Sequence, residues 1–207
     1  RRRGVPRVTY TSGSGVYGDL GDVPVVEDLP PRPISPYGAS KLACEAMLSA
    51  YAHMFGLHVG AFRFANVVGP RQTHGVAYDF IRKLRKDPTR LEIMGDGSQS
   101  KSYVHVDDVV SALLMPGRDG WQGFDVMNVA TEDYVTVRQI ADLVCERMGL
   151  TGVEYAFGDG PRGWKGDVPV VRFDSQRIRA RGWRNTRTSY EALAHSIDSM
   201  LEEPEDA

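Results

Sequence analysis

The sequence lacks the features of membrane, secreted and nucleic-acid-binding chains. No stretch approaches the ~18 consecutive apolar residues that a membrane-spanning helix needs. The first residues, Arg1-Arg2-Arg3-Gly4, contain no apolar core of a signal peptide. The 25 Lys and Arg residues nearly balance the 27 Asp and Glu residues, with no long block of one sign, which excludes a basic nucleic-acid arm and a polyanionic tail. We expect a globular chain with a hydrophobic core.

Cysteine and metal-ligand patterns are also scarce. The two cysteines, Cys44 and Cys145, both fall within helical patterns. They are predicted to be small buried thiols in a reducing, cytoplasmic compartment rather than a disulfide. The five histidines show no i,i+4 pairing with acids or cysteines, so no metal site is predicted.

The first third of the chain has the pattern of a strand, a long loop, a helix and a second strand. Residues 8–11 are β-branched and aromatic, which indicates a strand. Residues 12–35 form a Gly- and Pro-rich connection of unusual length, and connections of that length are often functional. Ser35 is a predicted N-cap for a helix over 36–55, and a buried strand follows at 59–64. This order predicts a βαβ unit of a parallel sheet.

The rest of the chain alternates between the two element types, which predicts an α/β fold. Strands are predicted at 91–94, 103–106, 124–129 and 153–157. Helices are predicted to follow N-caps at Asp107, Thr136, Asp174 and either Thr188 or Ser189. A further helix is predicted over 77–86.

One glycine-rich segment matches a dinucleotide-binding pattern by spacing alone. Residues 13–18 read G-x-G-x-x-G after a strand. That motif holds a pyrophosphate only where a helix begins, because the helix N-terminus supplies the N–H groups and the dipole. Residues 19–24 cannot begin a sustained helix, and no strand ending in an acid follows. We therefore predict that the phosphate-binding half of any dinucleotide fold is missing from this chain.

A phenol and an ammonium group lie four residues apart in the predicted helix. Tyr37 and Lys41 fall on one helix face within reach of each other. An ammonium group beside a phenol favours the ionised form, which can take a proton from a hydroxyl as hydride leaves the same carbon. The pair follows a strand with hydroxyl side chains and a long loop, which favours this catalytic interpretation.

Six motifs in order give the chain a family resemblance. Residues 12–18, 35–41, 63–71, 95–99, 103–108 and 166–169 resemble the extended short-chain dehydrogenase/reductases that act on nucleotide sugars, of the UDP-glucose 4-epimerase type. The resemblance extends to about Trp183. It implies an NAD-dependent epimerase or dehydratase, with NAD as cofactor and a UDP-sugar as substrate.

The resemblance also implies the catalytic and cofactor-binding residues. Tyr37 is the implied general base, and Lys41 is implied to hold the nicotinamide ribose. A hydroxyl at the strand end, from Ser14 or Ser12, is implied to share the substrate proton. Ala65 matches a position that lies against the nicotinamide.

Substrate-binding residues follow from the same resemblance and from their loop positions. Asn66 matches the residue that bonds the nucleotide diphosphate, although an Asx-turn before Gly-Pro is an alternative. Lys101 occupies a position that is usually a diphosphate-binding arginine, and Arg162 is a second candidate for that contact. His74 touches the substrate or is a solvated loop residue, and Tyr78 stacks on a uracil or packs in the core.

The chain departs from the family pattern at three positions. The usual catalytic Ser/Thr position falls on Gly13, between Ser12 and Ser14. Lys101 replaces a forked guanidinium by a point charge, which cannot bind phosphate in a bidentate way. The arginine usually found two residues before Gly-Asp falls on Trp164.

Within the family, the sequence favours 4-epimerisation over water loss. The dehydratases carry an Asp-Glu pair before Val-Tyr-Gly, where this chain has Ser14 and Gly15. Elimination needs a positioned acid and base, whereas epimerisation needs oxidation to a 4-keto sugar, rotation and hydride return. The alternatives are a dehydratase, another sugar-nucleotide reaction, or a non-catalytic nucleotide-sugar-binding or dimerisation fragment.

The predicted organisation combines two parts. Residues 1–70 are expected to be the second half of a Rossmann-like catalytic domain, and residues 71–207 mainly a smaller α/β substrate-binding lobe, with elements near 103–130 returning to the first part. The activity of this chain alone is expected to be weak, because the phosphate-binding half is missing. The resemblance implies a homodimer through the helix over 36–55 and its neighbour. Ala43, Met47, Ala50 and Met54 fall on one apolar face of that helix.

Overall fold

The computed structural model describes residues 3–118 and 121–203. The strands are β1 (Arg7–Gly13), β2 (Pro24–Val25), β3 (His58–Phe64), β4 (Asn66–Val68), β5 (Arg90–Ile93), β6 (Ser100–Lys101), β7 (Tyr103–His105), β8 (Phe124–Val129), β9 (Val135–Thr136), β10 (Glu154–Phe157) and β11 (Arg172–Phe173). The α-helices are α1 (Pro36–Phe55), α2 (Val76–Lys86), α3 (Val106–Arg118), α4 (Val137–Arg147), α5 (Gln176–Ala180) and α6 (Ser189–Glu202).

Local sequence accounts for most helix ends. The Ser35 hydroxyl accepts a hydrogen bond from the Gly38 N–H at 3.1 Å, and Thr136 and Thr188 form complete capping boxes, as predicted. The prediction that Asp107 is an N-cap is wrong, because β7 runs directly into α3 and Asp107 lies in its first turn. At α5 the N-cap is Ser175, one residue after the predicted one.

A three-stranded parallel sheet in the order β1-β3-β8 organises the first part of the fold. Strand β1 pairs with β3 over its whole length, and α1 connects the two, which confirms the predicted βαβ unit. Strand β8 pairs with β3 on the other side. Both α1 and α3 pack against this sheet. Residues 14–16 form a 3₁₀ turn, and no helix follows before α1, so the segment over 13–18 opens no helix.

A second hydrophobic core lies among helices α2, α4 and α6. It buries residues from these helices and from β5, including Phe80, Leu91, Ile140, Leu193 and Ile197. Strand β4 pairs in parallel with β7, and β5 with β10, while β6 and β9 are antiparallel. The predicted division of the chain at residue 70 stays a prediction.

A buried polar network fixes α1 to the sheet and to the long loop. Arg63 of β3 makes two bonds to the Glu45 carboxylate of α1, at 3.0 and 2.6 Å. Arg63 also donates to the Tyr17 hydroxyl and to the Glu27 carbonyl oxygen. The Tyr17 hydroxyl donates to Asn128 of β8 at 2.7 Å, and burial raises the pKa of Tyr17 to about 12, so that this donor stays protonated. The network therefore ties α1, through Glu45, to β3, to β8 and to the long loop.

The apolar face predicted for α1 does not face the core. Met47 is 62% exposed and Met54 is 68% exposed, whereas Glu45 and Ala52 point inward. Cys44 is also exposed, contrary to the prediction of a buried thiol, because it lies on the outward side of the same helix. Within the described part of the chain, no helix has the length and apolar character of a membrane span.

Candidate active site

A cavity of about 890 Å³ opens where β1 and β3 end. In α/β folds this carboxyl edge of the strands is the usual place for ligands. Most of the predicted site residues lie on its wall: Ser12, Ser14, Tyr37, Lys41, Ala65, Asn66, His74 and Lys101. Tyr78 and Arg162 are not among the residues that line it.

The Tyr37 and Lys41 side chains meet at one end of this cavity. The Lys41 ammonium donates to the Thr11 carbonyl oxygen at 2.8 Å, and it lies 5.5 Å from the centre of the Tyr37 ring. Tyr37 is 62% exposed, so its hydroxyl is open to a ligand. The strand end therefore anchors the lysine beside the phenol, with one helical turn separating the two residues.

A close approach of two glycines sets the position of this helical turn. A Cβ atom added to Gly38 would lie 2.1 Å from the Gly15 carbonyl oxygen, far inside contact distance. Only glycine at position 38 lets the first turn of α1 pack so closely against the 3₁₀ turn. This contact brings Tyr37 over the end of β1.

The structure separates the two candidate serine hydroxyls. The Ser12 hydroxyl is buried and has no hydrogen-bond partner among the described residues. Ser14 is half-buried and lines the cavity. A Cβ atom on Gly13 would lie 3.8 Å from the Tyr37 hydroxyl oxygen, so the usual Ser/Thr position points at Tyr37 but carries no side chain.

The residues after β3 form the next part of the cavity wall. The Ala65 N–H donates to the Val129 carbonyl oxygen at 3.0 Å, which holds the connection between β3 and β4 against β8. Asn66 lies in strand β4 rather than in a turn, so the Asx-turn alternative does not describe it. Asn66 is the register partner of Tyr103 in β7, and burial raises the pKa of the Tyr103 hydroxyl above its ordinary value.

The candidate diphosphate-binding cations are already paired. The Lys101 ammonium lies 2.6 Å from the Asp167 carboxylate. Arg162 bonds the Asp19 carboxylate and the Asp167 carbonyl oxygen. A diphosphate that binds Lys101 must therefore either displace the Asp167 carboxylate or bind the ammonium group together with it.

His74 and Tyr78 lie in different surroundings. His74 is exposed in the loop before α2 and lines the cavity. Tyr78 is half-buried and packs against the core of α2, α4 and α6. Among the described residues, no group of three His, Cys, Asp or Glu side chains is arranged to hold a metal ion.

Asp167 and Trp164 lie on the cavity wall and carry functional side chains that were not among the predicted site residues. Asp167 lines the cavity and pairs with Lys101. Its Gly-Asp motif is part of the family resemblance, but the motif alone does not predict this ion pair. Trp164 lines the cavity and is 57% exposed. Its sequence signal was the departure from the arginine usually found at that position.

Comparisons with known proteins identify the family. Residues 1–130 match the NAD dependent epimerase/dehydratase family. The UDP-glucose 4-epimerase of Mycolicibacterium smegmatis is 35% identical over 206 residues, which cover 96% of this chain and 63% of that protein. A UDP-galactose 4-epimerase structure is 40% identical, with a TM-score of 0.84, and covers 97% of this chain and 65% of that chain.

A third similar protein was solved with its cofactor. The UDP-glucose 4-epimerase of Thermus thermophilus, in complex with NAD, is 30% identical, with a TM-score of 0.84. The match covers 98% of this chain and 66% of that chain, so the present chain spans about two thirds of the length of these relatives. The predicted resemblance, the Rossmann-like fold class and NAD as the family's cofactor are confirmed. The chain belongs to the NAD dependent epimerase/dehydratase family.

Proposed function

We propose that the protein is a nucleotide-sugar 4-epimerase with Tyr37 as its general base. One observation carries the proposal: the Tyr37 hydroxyl is exposed in the cavity beside an ammonium group that is anchored 2.8 Å from the Thr11 carbonyl oxygen. A phenol beside a fixed cation is suited to accept a proton from a substrate hydroxyl.

The residues present fit the nicotinamide end of NAD. Lys41 has donors left over after its bond to Thr11, and these can reach a ribose hydroxyl. Ala65 is small and lines the same cavity, which leaves room for a flat ring. The segment over 13–18 does not fit the pyrophosphate, because no helix N-terminus follows the 3₁₀ turn.

The chemistry divides between cofactor and protein. NAD, held at its nicotinamide end by Lys41 and Ala65, would supply reversible hydride transfer at C4 of the sugar. Tyr37 would take the proton of the 4-hydroxyl and give it back, with Lys41 stabilising the phenolate. Ser14 would share this proton, since it is the accessible serine on the wall. No acid occupies position 14 or 15, which favours epimerisation over dehydration.

The substrate would extend from Tyr37 along the wall to Lys101. Asn66 and Lys101 supply an amide and an ammonium group for the diphosphate. Similar proteins that act on UDP-sugars support a UDP-sugar as the substrate. Product analysis with UDP-, dTDP- and GDP-sugars would identify the sugar and the nucleotide.

The experiment compares Tyr37→Phe with Tyr51→Phe in the full-length protein. Tyr51 is an exposed tyrosine on the same helix that does not line the cavity, so it controls for loss of a phenol from α1. We expect Tyr37→Phe to lower the interconversion of UDP-glucose and UDP-galactose by at least ~100-fold with unchanged thermal unfolding. Full activity of Tyr37→Phe would overturn the mechanism.

We further propose a cytoplasmic homodimer that forms through α1. The exposed side chains of Met47 and Met54, with Ala50 between them and Ala43 one turn before, give this helix an apolar face that a second copy can bury. Light scattering is expected to give the mass of two chains, and Met54→Glu is expected to give one. A monomeric mass for the unchanged protein would contradict the dimer.

A further inference from the structure

Trp164 is unusual among the tryptophans of the chain. Trp121 and Trp183 are each 4% exposed, and their indole N–H groups hydrogen-bond to protein acceptors. Trp164 is 57% exposed and lies on the cavity wall. A large aromatic surface is therefore presented to whatever ligand enters the cavity.

A tight turn over residues 164–167 holds this indole in place. The Asp167 N–H donates to the Trp164 carbonyl oxygen at 3.0 Å, and the Gly163 N–H donates to the Asp167 carboxylate at 3.1 Å. A Cβ atom on Gly166 would lie 2.3 Å from the six-membered ring of Trp164, so the ring packs directly on the glycine backbone. The ring has a defined orientation without being covered.

The same turn is joined through Asp167 to a cation of the cavity wall. Asp167 pairs with the Lys101 ammonium at 2.6 Å, so Trp164 lies three residues from the partner of Lys101. Among the described side chains that line the cavity, Lys41 and Lys101 are the lysines, and no arginine is present. Met94, 62% exposed, lines the cavity too, and its Cβ lies 3.7 Å from a Cβ built on Gly163. Met94 and Trp164 therefore supply apolar and aromatic surface to this cavity, whereas Arg162, which bonds the Asp167 carbonyl oxygen, does not line it.

We propose that Trp164 binds the nucleobase of the substrate by stacking. The inference rests on the proposed function, in which the sugar lies at Tyr37 and the diphosphate at Lys101. The base is then the remaining part of the ligand, and it lies on the side of Lys101 where the indole is exposed. Every base has a flat π-face that an aromatic ring can stack on, and a pyrimidine such as uracil is of a size that one indole covers. Trp164 thus contributes to affinity for the nucleoside, and Lys101 to affinity for the phosphates.

The experiment measures binding of UDP and of inorganic pyrophosphate by calorimetry, with no turnover required. We expect Trp164→Ala to weaken UDP binding about tenfold and to leave pyrophosphate binding unchanged. Trp164→Phe keeps a flat ring and is expected to retain most of the UDP affinity. Tyr190→Ala removes another exposed aromatic side chain, which does not line the cavity, and serves as the matched control.

Tryptophan fluorescence supplies an independent readout. Because the other two indoles are buried, UDP is expected to quench Trp164 in the unchanged protein, and Trp164→Phe is expected to lose that quenching while still binding UDP. UDP affinity that is unchanged in Trp164→Ala would overturn the stacking proposal and leave the proposed function standing. An equal loss of UDP and pyrophosphate affinity would overturn it by showing that the residue acts through Lys101. Failure of the unchanged protein to bind UDP would overturn both.

Discussion

Removal of the Glu45 carboxylate is expected to lower the free energy of unfolding by ~3–5 kcal/mol. Glu45 and Arg63 have side chains that are 4% and 6% exposed, and they meet through two bonds of 3.0 and 2.6 Å. In Glu45→Ala the guanidinium would keep the Tyr17 hydroxyl and the Glu27 carbonyl oxygen, which are neutral acceptors. These acceptors cannot offset a buried positive charge, so the cost is that of an unpaired ion.

An exposed ion pair of almost the same length provides the control. Lys83 and Asp79 are 2.7 Å apart at i,i+4 in α2, with side chains that are 32% and 45% exposed. Asp79→Ala is expected to cost only ~0.3–0.5 kcal/mol, because water screens the pair. Urea unfolding followed by circular dichroism, analysed with a common slope, measures both variants on one scale.

A double variant tests the physical reason. Glu45→Leu combined with Arg63→Met removes both buried charges, so it is expected to recover most of the stability that Glu45→Ala loses. If Glu45→Ala costs no more than Asp79→Ala, burial does not determine the strength of this pair and the reasoning is refuted. If the double variant is as unstable as Glu45→Ala, the unpaired charge of Arg63 is not the cause of the lost stability.

Three further outcomes are expected. Gly38→Ala should lower the free energy of unfolding by ~1–3 kcal/mol and epimerase turnover by roughly 100-fold, because the new methyl group collides with the Gly15 carbonyl oxygen. Unchanged values of both would contradict the importance of this contact. Burial lowers the pKa of His105, so on acidification the unfolded state takes up a proton at a higher pH than the folded state, and stability should fall as the pH drops below about 6.5. Thermal unfolding measured at a series of pH values should show a weaker pH dependence for His105→Gln. Ser14→Ala should reduce turnover by roughly 100-fold and Ser12→Ala much less, and the reverse order would assign the proton-sharing hydroxyl to Ser12.

Local signals in the sequence were sufficient for the elements that position Tyr37 and Lys41. Ser35, Pro36 and Gly56 bracket α1, and the structure places its ends at those residues. Capping chemistry and strand periodicity act over a few neighbouring residues, so a single sequence contains them in full. Tyr37 and Lys41 are four residues apart, so the geometry of a helix alone places them on one face.

Periodicity did not reveal what each helix face contacts. The apolar face of α1 was visible in the sequence, yet the structure exposes Met47 and buries Glu45 instead. The reason lies in Arg63, which is 18 residues away and needs a buried carboxylate partner. The hydrophobic pattern identifies the apolar face of a helix, but elements that are distant in sequence decide which face packs against the rest of the protein.

The sequence by itself determined the α/β order of elements, the helix caps, the Tyr37–Lys41 pair and the absence of a helix after the glycine segment at 13–18. Only the tertiary structure decided that Gly38 must pack against Gly15, that Asp167 holds Lys101 and that Trp164 faces the cavity. The first group depends on dihedral preferences and on contacts within one helical turn. The second group depends on atoms that meet only after distant segments have packed together, and no local pattern encodes those distances.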